Sequence, residues 1–172
     1  MSPRTPPLPR SEAYESATLE AWRLCDRVTR FLVENLPDAV FSAGVPGAPR
    51  RSVRMLAGHL HNARCAWIKM LGRGHGIAPP PSVDRRRVGR RELLAALERS
   101  SIGIERILDL GFRSGGRVPR FTGDVVTFLT YFVAHENHHR GQIVMIARQI
   151  GHRLPLDVAA GLWQWSKRAR EK

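Results

Sequence analysis

The stretch His135-Glu136-Asn137-His138-His139-Arg140-Gly141-Gln142 holds three of the chain's seven histidines. Apolar residues flank it at helical spacing: Phe128, Leu129, Phe132 and Val133 before it, Ile143, Ile146, Ala147 and Ile150 after it. That period predicts an amphipathic helix. At about 100° per residue, His135 and His139 stand one turn apart and about 40° from each other around the axis. With Val125, Phe128, Leu129, Phe132, Ile143 and Ile146 taken as the core side, His139 falls inside the stripe and His135 at its edge. His138 points toward the flank.

Two imidazoles at i and i+4 on one helix face suit a shared metal ion, and catalytic zinc sites typically take three protein ligands and leave one position open. The plain alternative is a pair of polar core residues, whose ring nitrogens then all need hydrogen-bond partners. Both readings stand on the pair alone. A third ligand on another helix decides between them.

Working outward, the remaining segments also read as helices. Ser11 to Leu36 forms the first, with Ser11 as cap, an apolar stripe of Leu24, Val28, Phe31 and Leu32, and Pro37 as stop. Arg51 to Leu71 forms the second, capped by Ser52, with Leu56, Leu60, Ala63, Trp67 and Met70 facing inward. His59 lies close to that stripe and is the better candidate for a third ligand. His61, two residues on, is the alternative if the helix sits in another register. On this wheel His61 and Cys65 make their own i, i+4 pair on the exposed face.

Arg90 to Leu110 forms the third helix through Leu93, Leu94, Leu97, Ile104, Ile107 and Leu108. The histidine helix is the fourth; Thr122 or Asp124 caps it and it ends near Gly151. Pro155 opens a short fifth with Leu162, Trp163 and Trp165, the tryptophans being core or interface aromatics. The connections 38–49, 72–89 and 112–122 are rich in Gly and Pro and contain no convincing strand. The middle one, with Pro79-Pro80-Pro81, is long enough for a lid or an interface segment. Met1 to Arg10, with four prolines, reads as a disordered tail. The expected architecture is all-α, a four-helix bundle with a short additional C-terminal helix, in a single domain over residues 11–172.

Composition narrows the function classes. A chain of 172 residues with 42% hydrophobic and 25% charged residues is that of a globular domain with a sizeable core. No apolar run approaches the roughly 18 residues of a membrane span, and the N-terminus lacks a signal-peptide pattern. Cys25 and Cys65 are too few for a disulfide framework. A cytoplasmic location is expected. The net charge of +13 comes almost wholly from Arg, densest at Arg85, Arg86, Arg87, Arg90 and Arg91. No nucleic-acid-binding motif accompanies it, so the charge implies nonspecific adhesion to polyanions and no specific nucleic acid.

Leu56-Ala57-Gly58-His59-Leu60-His61-Asn62 followed by Trp67, and then His135 to Gln142, resemble the DinB/YfiT-like family, which is distinct from the DNA polymerase of similar name. Gly151-His152-Arg153-Leu154-Pro155 and Leu162-Trp163-Gln164-Trp165 resemble endings of its members. The resemblance spans roughly residues 15 to 170. It implies a bundle holding a divalent metal, zinc or nickel, on His59, His135 and His139, and a homodimer. It further implies a thiol S-transferase or hydrolase acting on a small molecule, with a low-molecular-weight thiol as a possible second cofactor. Glu136, Arg140, Gln142 and Asn62 are the candidates for supporting the ligands or contacting substrate. Glu136 and Arg140 have the spacing of a helix ion pair. A reading from another class is a metal-binding bundle without catalysis, serving stress response or protein interaction.

Overall fold

The computed structural model describes residues 12–171. The expected tail over Met1 to Arg10 and the cap at Ser11 lie outside them. In chain order the elements are α1 (Glu12–Asn35), a short α2 (Asp38–Ser42), β1 (Gly44–Val45), β2 (Ala48–Ser52), α3 (Val53–Leu71), α4 (Arg90–Arg113), α5 (Val125–Gln149), and two short helices, α6 (Leu156–Gly161) and α7 (Trp165–Arg168). The protein is mostly helical. The long helices α1, α3, α4 and α5 pack on one another along their apolar faces, α3 lying against both α4 and α5 and α1 against the same two.

Local chemistry sets the helix ends. Ser52 accepts a hydrogen bond from the Met55 N–H and so caps α3, and Asp124 does the same for α5 through Thr127 N–H. At the other end of α5, Gly151 takes a φ of +80°. The His152 N–H then reaches Ala147 O and the Gly151 N–H reaches Arg148 O, the paired bonds of a Schellman ending.

Several expectations change. The 38–49 connection contains a short antiparallel hairpin, pairing Gly44 with Ser52 and Val45 with Ala48. Strands this short carry no readable alternation. The C-terminal segment is two helical turns rather than one short helix, and Gly161 packs so closely on Phe31 of α1 that a Cβ would stand 2.6 Å from its ring. Trp163 is 81% exposed and Trp165 46%, so neither belongs to the core of this chain.

The inward face of α3 is also rotated from the expected one. Met70 is exposed, whereas Leu60, His61, Arg64, Cys65 and Ile68 are buried. Two things cause this. An arginine at the centre of the face broke the apolar pattern, and segment 72–89 lies across the side that would otherwise meet solvent. That segment is tied down: His61 Nε2 lies 2.9 Å from Pro81 O, and Asn62 exchanges two hydrogen bonds with the backbone of Val83. The segment expected as a lid or interface is therefore a pinned strap.

Candidate metal centre

Three imidazoles meet where α3 faces α5. His59 comes from α3, His135 and His139 from α5, and their ring centroids are 4.7–5.3 Å apart pairwise. One ligand nitrogen from each lies within 4.8 Å of the others, spacing that accommodates a single ion. All three rings are half-buried. The buried face of α5 is centred on Phe132, Glu136, Arg140 and Ile143, which moves His139 from inside the stripe to its edge, beside His135.

The surroundings suit the donors. Metal ligands must be neutral imidazoles. Burial, then His139 and His135, then the charges of Arg85 and Arg51, push His59 down to about 4. Burial also lowers His135, with His139 adding to it. It lowers His139 as well, against the opposing bond to Gln142. Each of these shifts favours the neutral ring, which keeps a nitrogen lone pair free. Gln142 sets one tautomer: its Oε1 accepts from His139 Nδ1 at 2.8 Å while its Nε2 donates to His138 Nε2 at 3.0 Å. This leaves His139 Nε2 as the ligand atom, and a hydrogen-bonded second nitrogen is what orients ligand histidines in metal sites. Tyr131 stacks on His135 from one turn earlier, with ring planes 14° apart. The donor set therefore fits a borderline divalent ion such as zinc or nickel.

The other candidates fall as follows. His61 is outside the group: its Nδ1 lies 3.1 Å from Ser100 Oγ, and Cys65 Sγ lies 3.3 Å from its Nε2. The pair expected on an exposed face is thus buried and engaged. Asn62 ties the strap. Gln142 supports a ligand, His139. His138 is exposed at the end of the Gln142 relay. Glu136 and Arg140 do not form the expected ion pair with each other. Glu136 instead receives Arg64 Nε at 2.9 Å, Arg64 Nη2 at 3.0 Å and the Thr29 hydroxyl at 2.6 Å. Arg140 donates to Thr29 Oγ1 at 2.6 Å and Cys25 O at 3.1 Å, and also reaches Asn137.

This network under the histidines went unseen in the sequence. Arg64 is fully buried and also donates to Asp26 at 2.7 Å and Leu97 O at 3.0 Å, with its guanidinium 4.9 Å from the Trp22 ring. Burying a guanidinium and two carboxylates costs several kcal/mol each unless every group is paired, and here every group is. The signal that could have exposed it is an arginine one turn from both Leu60 and Ile68, opposite an aspartate set among Trp22, Cys25 and Thr29. Its mechanical effect is local. Arg64 follows His59 on α3 and Glu136 follows His135 on α5, so the ion pair fixes how the two ligand-bearing helices sit against each other.

Next to the triad a groove of about 440 Å³ runs between the hairpin and α5, lined by Val45, Arg51, Leu56, Gln142, Met145 and Ile146, with His138 at its edge.

The DinB family model matches residues 122–168. Over that segment the chain is similar to the DinB family. The segment takes in α5 with His135 and His139, together with α6 and α7, while His59 lies before it. The match agrees with the DinB-like resemblance carried by the histidine motif. No curated protein matches the chain. Among the described residues no helix is long and apolar enough to cross a membrane.

Proposed function

We propose that this DinB-like chain is a metal-dependent enzyme acting on a small molecule, a thiol S-transferase or hydrolase. In this reading His59, His135 and His139 hold zinc or nickel. When bound, the ion lowers the pKa of a coordinated low-molecular-weight thiol or water toward neutrality. The observation that carries the reading is the convergence of three imidazoles from two helices, with ligand atoms within 4.8 Å of one another.

The protein's own groups have separable tasks. Gln142 holds the His139 ring and its tautomer. The Arg64–Glu136 pair keeps α3 and α5 at fixed spacing, so the donors are organised before an ion arrives. Glu136 is closed off by Arg64 and Thr29 and does not serve as a general base. Leu56, Met145 and Ile146 make the groove beside the triad apolar, which limits water at the reacting end of a substrate.

The same reading takes residues 11–172 as one four-helix-bundle domain, located in the cytoplasm. It also takes the protein as a homodimer, supported by the exposed Leu156, Trp163 and Trp165 near the C-terminus; light scattering at micromolar concentration checks this.

The test is elemental analysis of untagged protein beside the His139→Ala variant. About one divalent ion per chain, absent from the variant, is expected. No metal in the wild type after reconstitution would remove the proposed chemistry. Turnover of an electrophile only in the presence of a small thiol separates a transferase from a hydrolase. A metal-loaded protein inert with both would favour a binding bundle without catalysis.

A further inference from the structure

We infer that the groove beside the histidines takes an amphipathic small molecule with a carboxylate at one end, recognised by Arg51. The inference deepens the enzyme reading and rests on it only for calling this molecule a substrate.

The groove has the size of a small-molecule site, about 440 Å³. Its walls divide by chemistry. Val45, Leu56, Met145 and Ile146 supply apolar surface along its length, while Arg51 supplies a fixed positive charge. Arg51 lies at the end of β2, immediately before the Ser52 cap of α3, so the hairpin and the helix start together fix its backbone.

Among the described residues no acidic side chain pairs with Arg51. Nor does one pair with Arg85, which packs over Gly58 on the other side of His59. Asp84, next to Arg85 in sequence, lies 3.8 Å from Arg87, and Asp38 lies 2.8 Å from Arg90. Arg51 lines the groove beside the triad, and Arg85 packs over Gly58, the residue before His59. A cationic rim attracts an anionic group and repels a cationic one. A guanidinium presents a planar fork that matches a carboxylate. An apolar floor with one such group selects an amphipathic molecule over a small inorganic anion. Gln142 lines the groove and also bonds His139, so the groove and the triad share that side chain.

Octanoate is a suitable probe, with octan-1-ol as its uncharged counterpart. Amide chemical shifts of ¹⁵N-labelled protein, zinc-loaded and zinc-stripped, report where each binds. Octanoate is expected to shift the amides of Leu56, Gly141, Gln142 and Ile146 in both forms. Arg51→Gln is expected to weaken octanoate about tenfold and leave octanol unchanged. Arg50→Gln removes an equal charge from the neighbouring position and should change neither.

Four results would overturn the inference: no response at the groove, octanol binding as tightly as octanoate, equal losses in Arg50→Gln and Arg51→Gln, or octanoate binding only when zinc is present. The last would mean that the carboxylate goes to the metal and not to Arg51. The two readings fail separately. A chain that holds no metal yet binds octanoate through Arg51 refutes the metal proposal alone. A metal-loaded chain with an unresponsive groove refutes this one alone.

Discussion

Replacing Arg64 by methionine keeps most of the side-chain volume and removes the guanidinium, the centre of the network beneath the histidines. Glu136 then loses bonds of 2.9 and 3.0 Å, Asp26 one of 2.7 Å, and Leu97 O one of 3.0 Å. Asp26 keeps Arg30 at 2.9 Å, but Glu136 is left a fully buried carboxylate with Thr29 and the more distant Arg140 charge. Breaking a buried pair from one side costs about 3–5 kcal/mol, because the surviving charge has no water to return to. That is a large share of the roughly 5–15 kcal/mol of a whole domain.

With a urea m-value near 2 kcal/mol/M, the midpoint should fall by about 2 M at unchanged m. In thermal melts the corresponding drop is about 6–20 °C. Both measurements belong on metal-stripped protein, so that ligand linkage does not enter. Adding Glu136→Gln to Arg64→Met should recover part of the loss, since the stranded charge is gone. A fall below about 1 kcal/mol, or a double variant worse than the sum of the singles, would refute the account.

The pH dependence follows from the same pair. Burial alone would raise the Glu136 carboxyl, but the Arg64 charge and hydrogen bonds outweigh it and hold it below the usual carboxylate range. A carboxyl depressed in the folded state stabilises the fold above its unfolded pKa. That contribution is lost as pH falls through the folded value. The stability gap between wild type and Arg64→Met should therefore be full near neutrality and close in acid below about pH 4.

His61→Ala should retain the metal while costing about 1–3 kcal/mol, since it deletes a fully buried ring and its contact with the buried Ser100 hydroxyl; loss of metal would put His61 in the ligand set. Cys25 and Cys65 are both buried and raised to about 11, chiefly by burial. Neither should react with Ellman's reagent at pH 8 until the protein is unfolded, and rapid labelling of the native state would contradict their placement.

The parts of the structure that were readable from sequence are those with a period. Helical spacing over 20 or so residues places the long helices, and Ser52 and Asp124 mark where two of them begin. The α5 pair was readable because i, i+4 histidines beside an apolar stripe have one orientation relative to it, whereas His59 was reached from a stripe of α3 that the structure rotates. Arg64 was not readable. A charge normally marks the solvent side of a wheel, and its burial depends on Asp26 and Glu136, distant in sequence and brought near only by the fold. The burial of His61 and Cys65 depends on strap 72–89, which has no period. The hairpin is too short to alternate. The groove is built by residues from the hairpin, α3 and α5 together, so no single stretch announces it.

The hairpin, finally, donates a wall to the groove through Val45 and Arg51 but contributes none of the three histidines. In the proposed reading, one wall of the guest's groove thus comes from a piece of chain that carries none of the ion's ligands, and that piece is an exposed connection of the kind that tolerates insertion and drift. Chains that share these histidines can then diverge in the compounds they accept by rewriting about ten residues, without reopening the problem of assembling the ligands. A common histidine signature is on this view a poor guide to a common substrate, and the connection before the second long helix is the place to compare when sorting such chains.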